Sequence, residues 1–149
     1  MKKVGIITFV AVLLLVGGVW WSNSLSSSGD IVETIGQNGI HWHPQLEIYI
    51  KGKKQDIPHN IGLVGVHNPI HTHDDVPIIH MEFSGKVTGD NIKLGNFFRV
   101  WGKEFNSTTL FNQKNGPEGI VRMFVNGQEN REFENYQMHD GDKIEIRYE

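Results

Sequence analysis

Seven of the chain's eight histidines lie between His41 and His80, where an even spread over 149 residues would put about two. Six of the seven are His41, His43, His67, His71, His73 and His80, and five of those fall into three short motifs: His41-Trp42-His43, His71-Thr72-His73-Asp74 and His80-Met81-Glu82. Residues two apart on a strand share a face and stand roughly 6.6 Å apart along it. Each motif can therefore turn two donor atoms toward one ion, at the bond length of about 2.0–2.1 Å that suits a zinc-bound imidazole. The chain has no cysteine, which excludes disulfides, thiolate nucleophiles and cysteine-held zinc or iron–sulfur centres. A nitrogen and oxygen donor set suits Zn(II), Cu(II), nickel or iron. Cu(I) prefers sulfur, and Met81, Met123 and Met138 are too scattered to form a methionine motif. We therefore take His41, His43, His71, His73, His80 and Glu82 as metal ligands, with Asp74 and His67 as further candidates, and copper or zinc ahead of iron as the ion.

Each motif alone has an ordinary explanation. His41 and His43 fit a solvated strand face, His71 and His73 a polar turn, and His80 with Glu82 a cross-strand ion pair. Turns favour Asn, Asp, Gly and Ser, however, and nothing in their chemistry asks for histidine. Three such motifs in forty residues point to a shared site. His59 and His139, alone in their surroundings, read as hydrogen-bonded surface groups.

The elements that must position these residues can be read from periodicity. Ile40 to Ile50 alternates, with His41, His43, Gln45, Glu47 and Tyr49 on one face and Trp42, Leu46, Ile48 and Ile50 on the other, which predicts one half-buried strand. Lys51-Gly52-Lys53 turns it into a hairpin with Lys54 to Ile57, which Pro58 ends. Gly62 to Pro77 has no period and reads as a loop about fifteen residues long, of the kind that is functional or disordered. Pro77 to Phe83 alternates again. Leu94, Phe97, Phe98 and Trp101 make one stripe of a short helix stopped by Gly102. Strands follow at Gly119 to Val125, Arg131 to Tyr136 and Lys143 to Tyr148, with turns at Asn126-Gly127 and Asp140-Gly141-Asp142.

Hairpin, helix, strand, short strand, last strand is the order of a β-grasp fold, with residues 58–92 as a histidine-rich insertion. The expected class is α+β, a β-grasp-like mixed sheet with one short helix. The tail, FVNG followed by MHDGDKIEIRY, resembles the C-terminal half of β-grasp sulfur-carrier and ubiquitin-like domains. It ends Arg147-Tyr148-Glu149 rather than Gly-Gly, so the resemblance implies the fold and not carrier chemistry.

Before this domain, Val4 to Trp21 is an eighteen-residue run with no charge and only Thr8 polar. As a helix it would span roughly 27 Å, enough for the hydrocarbon of a bilayer. Closing on Trp20-Trp21 rather than on the small residues of a cleavage site, it reads as a retained transmembrane anchor in preference to a leader cleaved near Ser22-Asn23-Ser24. Lys2 and Lys3 place residues 1–3 in the cytoplasm, 22–38 as a serine-rich tether outside, and 39–149 as an extracytoplasmic metal-binding domain in the cell membrane's outer compartment. Taking those two lysines from the net charge of −3 leaves −5 on residues 30–149. A domain this acidic lacks the basic stripe that nucleic-acid binding requires. The sequon Asn106-Ser107-Thr108 reads as a surface loop.

The series HxHxxL, PxHTHD, IIHxE and LGxFFxxWG resembles a family of short exported or membrane-anchored prokaryotic proteins of uncharacterised activity. It is carried here by His41, His43 and Leu46; by Pro69, His71, Thr72, His73 and Asp74; by Ile78, Ile79, His80 and Glu82; and by Leu94, Gly95, Phe97, Phe98, Trp101 and Gly102. The resemblance implies a shared site and an extracytoplasmic setting, and supplies no activity. A second similarity, of His41-x-His43-x3-Glu47 to the first cupin motif, is disfavoured, because Glu47 would lie roughly 13 Å along the strand from His43 unless Pro44 bends it, and only His139 stands where a second histidine motif would be wanted.

Three functions remain: metal capture or delivery, including service as an accessory subunit of a membrane complex; a metalloenzyme with a mononuclear iron, copper or zinc centre acting as an oxygenase or hydrolase; and an ion that only pins the loop to the sheet. The sequence carries no serine nucleophile elbow, phosphate loop or nucleotide fingerprint. A ligand set rich enough to fill the coordination sphere favours binding over catalysis, which keeps a position open.

Overall fold

The structure is a computed structural model that describes residues 33–149, together with Gly18 and Trp21. The anchor expected at 4–21 and most of the tether lie outside the described residues. Among the described residues no helix is long and apolar enough to cross a membrane.

The largest sheet is built from β3 (Gln45–Ile50), β4 (Lys53–Gln55), β11 (Val121–Val125), β12 (Gln128–Asn130) and β13 (Lys143–Tyr148), in the order β12-β11-β13-β3-β4. Its centre is a parallel pair, β3 with β13, in register from Gln45 opposite Lys143 to Ile50 opposite Tyr148, and the other pairings are antiparallel. Alternation gives the sheet one apolar face, where Leu46, Ile48, Met123, Ile144, Ile146 and Tyr148 are all buried. Both hairpins close through two-residue turns whose central residues have positive φ, Lys51 and Gly52 at 49° and 76°, Asn126 and Gly127 at 52° and 80°. These are the turns whose twist matches that of the flanking strands.

The expected helix forms as α1 (Leu94–Trp101), and its chain leaves through Gly102 in the left-handed conformation, φ 72°. Leu94, Phe97 and Phe98 are buried. Phe98 stacks on Phe105 with ring centres 4.5 Å apart, and Trp101 meets Phe111 edge-on at 5.2 Å. The aromatic stripe is thus core. The described residues form a mixed, sheet-rich α+β structure with this one short α-helix.

The stretch between hairpin and helix builds a second sheet. It joins β2 (Ile40–Trp42), β6 (His80–Phe83) and β5 (Ile70–His71), all antiparallel, with β6 in the middle. A short ladder of β1 (Thr34–Gly36) with β7 (Val87–Thr88) lies within the region that composition suggests as tether and insertion. A meander of β8 (Phe105–Asn106), β9 (Thr109–Leu110) and β10 (Gln113–Lys114) places the sequon at a hairpin turn.

Two expectations from periodicity need correction. Ile40 to Ile50 is not one strand. It breaks at His43-Pro44, because proline offers no N–H to a ladder, and the buried Pro44 instead accepts the Ile79 N–H at 2.8 Å. The short strand expected at 131–136 lies earlier, at Gln128–Asn130, and Phe133–Asn135 is a 3-10 turn. The two-residue Asn126-Gly127 turn fixes this register, since the return strand must begin directly after it.

Candidate metal centre

The second sheet gives the histidines a common face. His41 is paired with Glu82, and His71 with His80, while Trp42, Met81 and Ile70 line up between them and turn to the other side. Met81 and Ile70 are buried, so the apolar face holds the sheet against the core and the polar face looks outward. The donor atoms of His71, His73, His80 and Glu82 all lie within 4.8 Å of one another, and a second group of His41, His43 and His80 meets the same limit.

His71 is the best fixed of these residues. It is fully buried, and its Nδ1 donates to the Asn68 carbonyl at 2.9 Å. An N–H held by a carbonyl sets the ring's tautomer, so the neutral imidazole presents Nε2 as a lone pair. That atom stands 3.1 Å from Nε2 of His73. Two ligands on a tetrahedral ion with bonds of about 2.0–2.1 Å stand roughly 3.3 Å apart, so the pair is already near ligand spacing. Burial is the main cause that moves the His71 pKa below the ordinary histidine value, and the Asn68 carbonyl opposes it. A neutral imidazole is the form that binds metal.

The loop that carries the pair is held by Thr72, buried between the two histidines. Its hydroxyl donates to the Pro58 carbonyl at 2.9 Å and accepts the Ile61 N–H at 3.1 Å. Its backbone exchanges bonds with Asn60 and Ile61. Alternation turns Thr72 inward and both histidines to the other side. Asn68 also accepts the Ile70 N–H through its side chain at 3.0 Å, closing the turn before β5.

His80 sits at the centre of the face, its side chain 12% exposed, with Nε2 at 3.1 and 3.2 Å from the two Asp75 oxygens. This hydrogen bond holds the Asp75 carboxyl below the usual carboxylate range. His43 has its ring centre 5.0 Å from that of His80 and its amide bound to Asp140 at 2.8 Å. Glu82 Oε1 is 3.3 Å from Nε2 of His41.

Of the residues singled out from sequence, His41, His43, His71, His73, His80 and Glu82 come together on this face. His67 lies beside it, its ring centre 4.6 Å from that of His71, and belongs to neither group. Asp74 is turned away: its side chain is 94% exposed and lies 3.5 Å from His59. Its neighbour Asp75 takes the position next to the site. His139 stacks on Trp42 at 5.8 Å, away from both groups. Asn68, Thr72 and Asp75 are the supporting residues that spacing alone does not single out. The buried threonine in His-Thr-His is the one readable signal, since strand alternation must turn it inward.

In metal-free protein, the lowered His71 pKa makes stability depend on pH. Unfolding lets this imidazole take up a proton that the folded state resists, so the unfolded chain binds more protons just below the ordinary value of 6.5. Stability is full above that value and falls as pH drops toward the lowered folded value. Urea denaturation at about pH 7.5 and about pH 5.5 should show the loss, and His71→Asn should reduce it. An unchanged pH dependence in the variant would refute this assignment.

No protein-family model, curated protein or solved structure matches this chain, so the reading of the site rests on its own residues.

Proposed function

We propose that the chain is a metal-binding protein that holds Zn(II) or Cu(II) through His71, His73, His80 and Glu82. One observation carries this reading. Three imidazoles and a carboxylate have donor atoms within 4.8 Å of one another, and the buried member is fixed with its Nε2 turned to that of His73. Four such donors complete the tetrahedral shell of a closed site, the arrangement of structural and storage centres. The strand order β12-β11-β13-β3-β4 with its central parallel pair supports a β-grasp scaffold beneath the site.

On this reading the apolar run Val4–Trp21 anchors the chain in the cell membrane, and the domain works outside it in metal capture or delivery, or as an accessory subunit of a membrane complex. The lysine pair before the run and the cysteine-free, histidine-rich composition support that setting. One observation favours the metalloenzyme alternative: Glu82 also faces His41 at 3.3 Å. If it stays with His41, the ion keeps three imidazoles and an open position for water.

The test is to purify the full chain in detergent, strip it with a chelator and add Zn(II) or Cu(II). Metal should be retained through gel filtration and should raise the melting temperature of the domain, by about 2.7 kcal/mol of added stability at 100-fold excess over Kd. A melting temperature indifferent to both ions would refute the proposal.

A further inference from the structure

This inference rests on the ion site just proposed and extends it. The donors on the histidine face fall into two groups and do not merge: His71, His73, His80 and Glu82 form one, His41, His43 and His80 the other. Strand order explains why. His71 comes from β5, His80 from β6 in the middle, and His41 from β2, which leads into His43. Neighbouring strands lie about 4.8 Å apart, so the two outer strands are separated by roughly 9.6 Å. Ligands on opposite sides of one ion, with bonds of about 2.1 Å, stand no more than about 4.2 Å apart. Side chains can reach across that gap, but the donor atoms as placed form no group that spans both outer strands, and His80 on the middle strand is the histidine common to both groups. The rings run in an unbroken row, with centre-to-centre steps of 5.6 Å from His71 to His80, 5.0 Å from His80 to His43 and 4.7 Å from His43 to His41.

We propose that this face holds two divalent transition-metal ions at once, the second at His41, His43 and His80, with His80 giving one ring nitrogen to each ion. An imidazole has two ring nitrogens and can serve two ions when its N–H proton passes to solvent, so the second ion replaces the His80 Nε2 hydrogen bond to Asp75 that holds when only the first position is filled. The surroundings suit the added charge. Glu82 Oε1 lies 3.3 Å from His41, and both Asp75 oxygens lie within 3.2 Å of His80. The two positions differ in one respect: the first has a fully buried member, His71, beside the exposed His73 and Glu82, whereas the second has three donors and no buried one. The outer ion is accordingly the weaker and the more readily exchanged.

Titration of the chelator-stripped full chain in detergent with Cu(II) tests this. The wild type should bind two ions, and the double variant His41→Gln, His43→Gln should bind one. The replaced side chains are 63% and 41% exposed and neither belongs to the buried core, so the variant keeps its fold. The integrated electron paramagnetic resonance signal adds a separate readout. The first equivalent should give full intensity, and the second should lower the signal per copper, because two Cu(II) ions sharing an imidazole couple. A wild type that binds one ion would overturn the second position and leave the first standing. Two ions in both proteins, or a second equivalent that adds a full uncoupled signal, would overturn it as well. A chain that binds no copper would overturn both positions.

Discussion

Replacing His71 and His73 together with alanine should weaken Zn(II) and Cu(II) binding at the first position by more than about 100-fold, beyond the roughly 10–100-fold that loss of an outer-shell partner costs. Competition against a chromophoric chelator measures the change. The two residues supply a closely spaced donor pair, 3.1 Å between Nε2 atoms, and one of them has its tautomer fixed by a backbone carbonyl. Without them, His80 and Glu82 remain, too few for a closed shell. The neighbouring acids separate this account from general electrostatics. Asp75 holds His80, so Asp75→Ala should cost about 10-fold or more. Asp74 carries the same charge one residue away but sits at His59, so Asp74→Ala should change affinity little. Equal losses in the two acid variants would mean that the site attracts cations by net charge alone. His59→Ala and His139→Ala should leave affinity unchanged.

The contrast between Asp74 and Asp75 shows where sequence reading succeeds and where it stops. The six principal candidate ligands were legible as a cluster because alternation alone puts residues i and i+2 on one face, whatever the strand pairs with. Once β6 pairs on both sides, His80 and Glu82 meet partners on β5 and β2. Which of two adjacent acids turns toward His80 depends on the turn after His73, and no periodicity governs a turn. The break at Pro44 is similar. Periodicity runs through Ile40 to Ile50 without interruption, yet β2 and β3 belong to different sheets. The missing proline N–H is visible in sequence, but the Ile79 N–H that takes the Pro44 carbonyl is not. The main sheet was easier. Leu46, Ile48, Ile144 and Ile146 declare their faces, and the two-residue turns set the hairpin registers. The ladder of Thr34–Gly36 with Val87–Thr88 and the meander over 105–114 were not legible, since strands of two or three residues are too short to show a period.

Substituting Met81 tests whether coordination and packing cooperate across this thin second sheet. Met81 is fully buried at the centre of β6, between His80 and Glu82 in sequence but on the opposite face, with Trp42 and Ile70 as its cross-strand neighbours. Met81→Ala removes contacts that a small three-stranded sheet cannot replace, and such truncations cost about 2–5 kcal/mol. Against a total stability of roughly 5–15 kcal/mol for a domain, that is a large fraction. The metal-free variant should therefore show a sharply lowered denaturation midpoint. The first-position ligands come from β5, β6 and the loop after β5, so an ion bound there ties together the strands that the lost methionine no longer holds. Binding to the folded state alone adds stability by mass action, about 4.1 kcal/mol at 1,000-fold excess over Kd. Saturating Zn(II) should thus return most of the lost midpoint in Met81→Ala, and the recovery should grow with the logarithm of the free Zn(II) concentration. A variant whose midpoint stays low at every Zn(II) concentration would separate the two faces: the apolar side would then be needed to form the site, and the ion could not organise the sheet by itself.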